Sequence, residues 1–136
     1  MQQIKKALKV NISILLAALL SFLTLGAHIF GGQPEIMVPV FESELSNYLK
    51  TILMVIWHAV SAILIINSAA LLFASLKNQH RLTIVNIISI QYLFWAALFI
   101  FYGIKNLGTL WTMPQWIAFI LIPALALWGL KQNKKR

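Results

Sequence analysis

The sequence predicts an all-α polytopic membrane protein, an antiparallel four-helix bundle with both termini in the cytoplasm. Four windows carry no Asp, Glu, Lys or Arg: residues 10–34, 51–76, 82–104 and 106–130. Each is longer than the roughly 20 residues with which a helix crosses the hydrocarbon core. The chain is 60% hydrophobic, with a mean hydropathy of +0.83. Because the windows use most of the chain, residues 1–136 form one membrane domain.

The four windows and the residues between them predict where the helices and the loops lie. Unpaired backbone groups are costly in lipid, and windows this long and apolar favour helices over barrel strands. Helical segments are predicted at 8–30, 49–76, 82–104 and 111–130. Gly31, Gly32 and Pro34 are typical helix stops, so residues 31–47 are predicted to form an outer loop.

Three shorter features refine this prediction. The tight connection 77–81 favours the second and third helices as antiparallel neighbours. Pro114 fits the first turn of the fourth helix, where its missing N–H costs nothing. Pro123 falls inside that helix and should kink it or be accommodated by neighbouring helices.

The placement of charge predicts the orientation. The chain has 11 basic and 3 acidic residues. Only Lys50 and Lys105 among the basic residues share a side with the acids Glu35, Glu42 and Glu44. The other basic residues fall on the opposite side: Lys5, Lys6, Lys9, Lys77, Arg81, Lys131, Lys134, Lys135 and Arg136. Short loops rich in Lys and Arg stay cytoplasmic. We therefore interpret the formal charge of +8 as a topology signal, with some attraction to anionic lipid, and not as a nucleic-acid site.

Small and polar residues recur at helical spacing on the first two helices. The first helix carries Ala17, Ser21, Thr24 and His28. The second carries Ser61, Ser68 and Ser75. Small side chains let helices approach closely in lipid, so these two stripes are predicted to form the packing seam between the helices.

Polar and aromatic side chains at membrane depth predict a ligand-binding cavity in the outer half, covered by the 31–47 loop. Its candidate residues are His28, His58, Gln91, Trp95, Tyr102 and Gln115. Counted from Thr51, His58 should be buried about 10 Å deep, where it would orient a ligand. His28 and Gln115 would line the mouth, with Trp95 as an apolar wall and Gln91 as the floor. The alternative is that His58 makes a single interhelical hydrogen bond.

No catalytic arrangement is found in the sequence. There is no cysteine, and the four windows hold no acidic residue, so a proton-coupled transporter would lack its usual carboxylate. A haem between His28 and His58 is one alternative, although the two imidazoles are predicted at different depths. A zinc site of His28, His58 and Glu35 is another, although H-x-x-x-H and H-E-x-x-H spacings are missing.

The segments Gly26-Ala27-His28, Gly31-Gly32-x-Pro34 and Trp57-His58-x-x-Ser61 resemble a pattern in small uncharacterised bacterial four-helix membrane proteins. The resemblance covers the first two helices. It implies a bacterial inner-membrane protein and supplies no activity.

The sequence therefore leaves three candidate functions. The favoured one is a non-enzymatic module that binds a lipophilic ligand or a partner membrane protein through its outer half. The second is a subunit of an oligomeric small-molecule or ion transporter, because four helices alone enclose little lumen. The third is a haem- or metal-binding redox protein. The expected partners are the lipid bilayer and, for a transporter, further copies of the chain.

Overall fold

The computed structural model describes residues 10–134 and contains four helices, each long and apolar enough to cross a membrane. They are α1 (Ile12–Glu42), α2 (Asn47–Leu76), α3 (Arg81–Leu107) and α4 (Gln115–Lys134). No strand occurs within this part of the chain. The prediction of an all-helical chain with four helices that could span a membrane is confirmed for the described residues. Outside the described residues lie the first two positions of the predicted first helix and five basic residues: Lys5, Lys6, Lys9, Lys135 and Arg136.

The prediction that the first helix stops near residue 30 and that 31–47 forms a loop is wrong. Helical backbone continues to Glu42 through two wide π-helical turns, Ala27–Gly31 and Gln33–Met37. Pro34 lies at the start of the second of these turns, within continuous helical backbone. Gly32 does not end the helix but allows close packing, since a Cβ there would lie 2.5 Å from the indole of Trp57.

Short connections join the helices. Residues 43–46 link α1 to α2, and the Ser46 hydroxyl caps α2 by accepting from the Leu49 N–H. Residues 77–80 link α2 to α3, with His80 in the left-handed region. Gly108, at a φ of 66°, ends α3, as the left-handed backbone there favours glycine. The observed helices two, three and four begin and end within a few residues of their predicted bounds.

The helices pack in an order that the chain connectivity does not dictate. α1 packs along both α2 and α4, and α3 packs along α4, whereas α2 and α3 share fewer contacts despite the tight turn between them. Small buried residues on α1, among them Ala17, Ala18 and Ser21, allow this central position. Pro123 is buried within a continuous α4, so it is accommodated by its neighbours.

One end of the bundle, here called the basic end, is tied together by Asn11 and Arg81. The Asn11 side chain caps α1 and donates to the Gly129 carbonyl at 2.8 Å, while its backbone N–H donates to the Ser75 carbonyl at 2.9 Å. The Arg81 guanidinium donates to the carbonyls of Ala74 at 2.6 Å and Ser75 at 3.2 Å. These bonds satisfy carbonyls at the end of α2, where a positive charge also complements the helix dipole.

The opposite end of the bundle is uneven because the helices differ in length. Counted along α2 from Ser75, Trp57 lies about 27 Å away, so a hydrocarbon core that starts at the basic end finishes near Trp57. Residues 33–56, the end of α1 and the start of α2, continue beyond it and are here called the acidic arm. Its two halves are joined by a hydrogen bond from the Lys50 Nζ to the Phe41 carbonyl. The arm extends about 15 Å past Trp57. α4 starts lower, about 21 Å from Gly129, and does not reach the arm.

Candidate functional site

A cluster of hydroxyl groups lies at the centre of the bundle. The Ser21 hydroxyl is 2.7 Å from that of Ser68 and 2.6 Å from the phenolic oxygen of Tyr92. All three residues are fully buried. In the next layer the Asn67 side-chain amide donates to Gln91 at 3.2 Å. These bonds join α1, α2 and α3 and satisfy one another, which is the ordinary way to bury polar groups between helices.

A second polar contact joins α1 and α2 near the acidic arm. The His28 ring stacks on the Trp57 indole with centroids 3.9 Å apart. Its Nε2 lies 3.0 Å from the Ser61 hydroxyl. Together with Ser21–Ser68, this contact confirms the predicted seam of small and polar residues between the first two helices.

The prediction that His58 is buried is wrong. The side chain is exposed, and its Nδ1 lies 2.8 Å from the Met54 carbonyl on its own helix. Trp57, the preceding residue, occupies the side facing α1 and stacks on His28. Along α2, His58 lies about 27 Å from Leu76, so a hydrocarbon core of about 30 Å that starts at Leu76 would place His58 near its far boundary.

The other predicted site residues do not gather in one cavity. Gln91 bonds to Asn67, and Trp95 packs edge-on against Phe119 with centroids 5.4 Å apart. Tyr102 and Gln115 are exposed. Tyr102 does line an open apolar hollow of about 220 Å³ with Leu98, Phe99 and Met113. A second open hollow, of about 270 Å³, lies at the basic end beside Leu82 and Lys131.

The histidines have separate partners. His28 contacts Ser61 and Trp57, whereas His58 contacts Met54 and faces outwards, so the pair is not arranged as two ligands of one haem iron. Glu35, the third residue of the predicted zinc site, is exposed on the acidic arm. Within residues 10–134 no group of three or more His, Cys, Asp or Glu side chains could hold a metal ion.

The sequence reasoning missed the feature that dominates this end of the molecule, the apolar surface of the acidic arm. Its large exposed apolar side chains are Ile36, Val38, Phe41, Leu45, Tyr48, Leu49, Ile52, Leu53, Met54, Val55 and Ile56. The apolar run in the middle of 31–47 was the available signal. The prediction that Gly31, Gly32 and Pro34 end the helix assigned this run to a loop.

Comparison of the chain with protein-family models, with curated proteins and with solved structures finds no match.

Proposed function

We propose that this chain is a non-enzymatic module of a bacterial inner membrane that binds a partner membrane protein through the acidic arm. In this proposal the four helices cross the bilayer in antiparallel order. The basic end and both termini lie in the cytoplasm, because Lys77, Arg81 and Lys131 belong to the side that short basic loops occupy. The acidic arm then projects on the outer side.

The observation that carries the proposal is the exposed apolar surface of the arm. Lipid covers apolar side chains within the hydrocarbon core, but most of the arm lies beyond the about 30 Å that the core occupies. Contiguous apolar surface outside lipid is a mark of a protein contact. Tyr48, at 73% exposure, lies well beyond the core and has little cover from the rest of the chain.

The interior of the bundle supports a binding module more than a pathway. Ile14, Leu71, Tyr92 and Ile122 are fully buried and fill the centre between the helices. A transporter would therefore need a route formed between copies of the chain. No arrangement of nucleophile, base and acid lies among these buried side chains to support catalysis.

A lipophilic ligand is the second candidate, and the hollow beside Tyr102 favours it. At about 220 Å³ the hollow falls below the roughly 300–1,000 Å³ of typical small-molecule sites, so it fits part of an acyl chain better than a whole ligand. Lipid that co-purifies in mild detergent, and is lost when Leu98→Trp fills the hollow, would identify this function. Unchanged lipid in that variant would exclude it.

Photo-crosslinking in intact cells tests the main proposal. A benzophenone amino acid replaces Tyr48 on the arm or, as a matched control, Trp111, an aromatic residue off the arm that is also 73% exposed. We expect a discrete protein adduct from position 48 and none of the same mass from position 111. Lipid adducts alone at position 48, or the same protein adducts at both positions, would contradict the proposal.

A further inference from the structure

The charges on the acidic arm restrict what can cover it. All three acidic residues of the chain, Glu35, Glu42 and Glu44, lie on the arm and are exposed. Lys50 is the only basic residue there, and its Nζ donates to the Phe41 carbonyl at 2.7 Å within the arm. The arm is therefore an apolar surface with net negative charge, on a chain whose formal charge is otherwise strongly positive.

The carboxylates are spread along the arm, two at its tip and one lower on α1. Glu42 ends α1 and Glu44 lies in the following turn, so both are at the tip of the arm. Glu35 lies about 10 Å lower along α1. The apolar side chains Phe41, Tyr48 and Ile52 lie between these levels or on the facing helix. Protein interfaces usually combine exposed apolar side chains with charged ones in this way.

Three kinds of surface could cover the arm, and the charge that each carries decides whether the arm attracts or repels it. A bilayer surface rich in anionic headgroups would repel the carboxylates. A second copy, related by a two-fold axis through this surface, would place like charges opposite one another. A basic protein surface would attract them and would lie in reach, because the arm stays within about 15 Å of the hydrocarbon core.

We infer that the acidic arm docks onto a partner protein of the same membrane whose outer surface is apolar at its centre and carries Lys or Arg at its edge. The inference rests on the proposed function and specifies the partner's chemistry. The arm's apolar residues supply most of the contact. Glu35, Glu42 and Glu44 orient the partner and favour it over other apolar surfaces.

The test combines the position-48 photo-crosslinker with neutralisation of the arm in the full-length protein in intact cells. The variant carries Glu35→Gln, Glu42→Gln and Glu44→Gln, which keep side-chain size and remove charge. Because the three glutamates are exposed, this variant should fold, and an unchanged thermal unfolding midpoint checks that it does. A matched control carries Asn47→Asp, an exposed change that adds negative charge to the arm.

We expect the yield of the main adduct to fall about fivefold in the neutralised variant and to be kept or raised in the control. Mass spectrometry should place the adduct on a partner segment with nearby Lys or Arg. An adduct at twice the 15.4 kDa mass of the chain, or a yield that neutralisation leaves unchanged, overturns the inference while leaving arm-mediated binding intact. Failure to form any protein adduct from position 48 instead overturns the proposed function.

Discussion

The Ser21 hydroxyl on α1 lies 2.6 Å from the phenolic oxygen of Tyr92 on α3, so two helices with no direct connection are joined at the centre of the bundle. The same hydroxyl lies 2.7 Å from that of Ser68 on α2. Lipid offers no hydrophobic force to bring helices together, and buried bonds of this kind help to fix which helices pair.

Two buried serines should respond in opposite ways to replacement by alanine. Ser21→Ala leaves the Tyr92 hydroxyl without its α1 partner and should lower the free energy of unfolding by about 1 kcal/mol. The Ser89 hydroxyl is buried with no hydrogen-bond partner within the described residues, so Ser89→Ala should be neutral or stabilising. Reversible unfolding in mixed micelles by added SDS measures both. Equal losses would show that side-chain volume, and not the hydroxyl contact, sets the stability.

Gly129 should tolerate substitution far less well than Gly26. A Cβ on Gly129 would lie 2.6 Å from the Asn11 Oδ1 and 2.7 Å from the Ile14 Cγ1. Gly129→Ala should therefore cost about 1–3 kcal/mol in the same unfolding assay. A Cβ on Gly26 would meet nothing within 4 Å, so Gly26→Ala should be neutral or stabilising by up to about 1 kcal/mol. A mild effect at Gly129 would contradict the close contact of α1 with α4.

Arg81 should contribute more to stability than the nearby Lys77, although both carry one positive charge. Arg81→Met removes donors from the Ala74 and Ser75 carbonyls and should cost about 1–3 kcal/mol. Lys77 is exposed, and Lys77→Met should change the free energy of unfolding by less than about 0.5 kcal/mol. The pair removes equal charge, so similar losses would mean that Arg81 acts only through net charge.

The two histidines near the arm should also differ in how much each contributes to the free energy of unfolding. His28→Leu loses the Ser61 contact and the stacking on Trp57, and should lower the free energy of unfolding by about 1–2 kcal/mol. His58→Leu removes only a bond to its own helix and should change it by less than about 0.5 kcal/mol. Greater sensitivity at His58 would show that another surface covers this side of α2.

The helices could be predicted because long uncharged windows leave the backbone few alternatives in lipid. The seam could be predicted because Ser21, Ser68 and Ser61 recur at helical spacing. The outward orientation of His58 could not be predicted from the sequence. It lies about 60° from Ser61 around α2 and Trp57 lies about 40° away, so spacing alone scarcely separates them. The stacking of Trp57 on His28, a contact with another helix, decides which of the two faces α1.

The continuation of α1 past Gly31 also could not be predicted from the sequence pattern. Gly and Pro usually end helices, but Gly32 instead packs against Trp57 and Pro34 fits a π-helical turn. The Gly32 contact depends on α2 lying alongside. The expected outer boundary at Thr51 came from the uncharged window 51–76, which includes six residues of the acidic arm, and it made His58 appear deeply buried.

The orientation of the acidic arm can be measured directly because the chain has no cysteine. Single variants Glu44→Cys, at the tip of the arm, and Asn78→Cys, in the turn at the basic end, are treated in intact cells with a membrane-impermeant maleimide. The account predicts that Glu44→Cys is labelled in intact cells and that Asn78→Cys is labelled only after the membrane is permeabilised. Labelling of Asn78→Cys in intact cells, with Glu44→Cys protected, would place the arm in the cytoplasm and contradict the account.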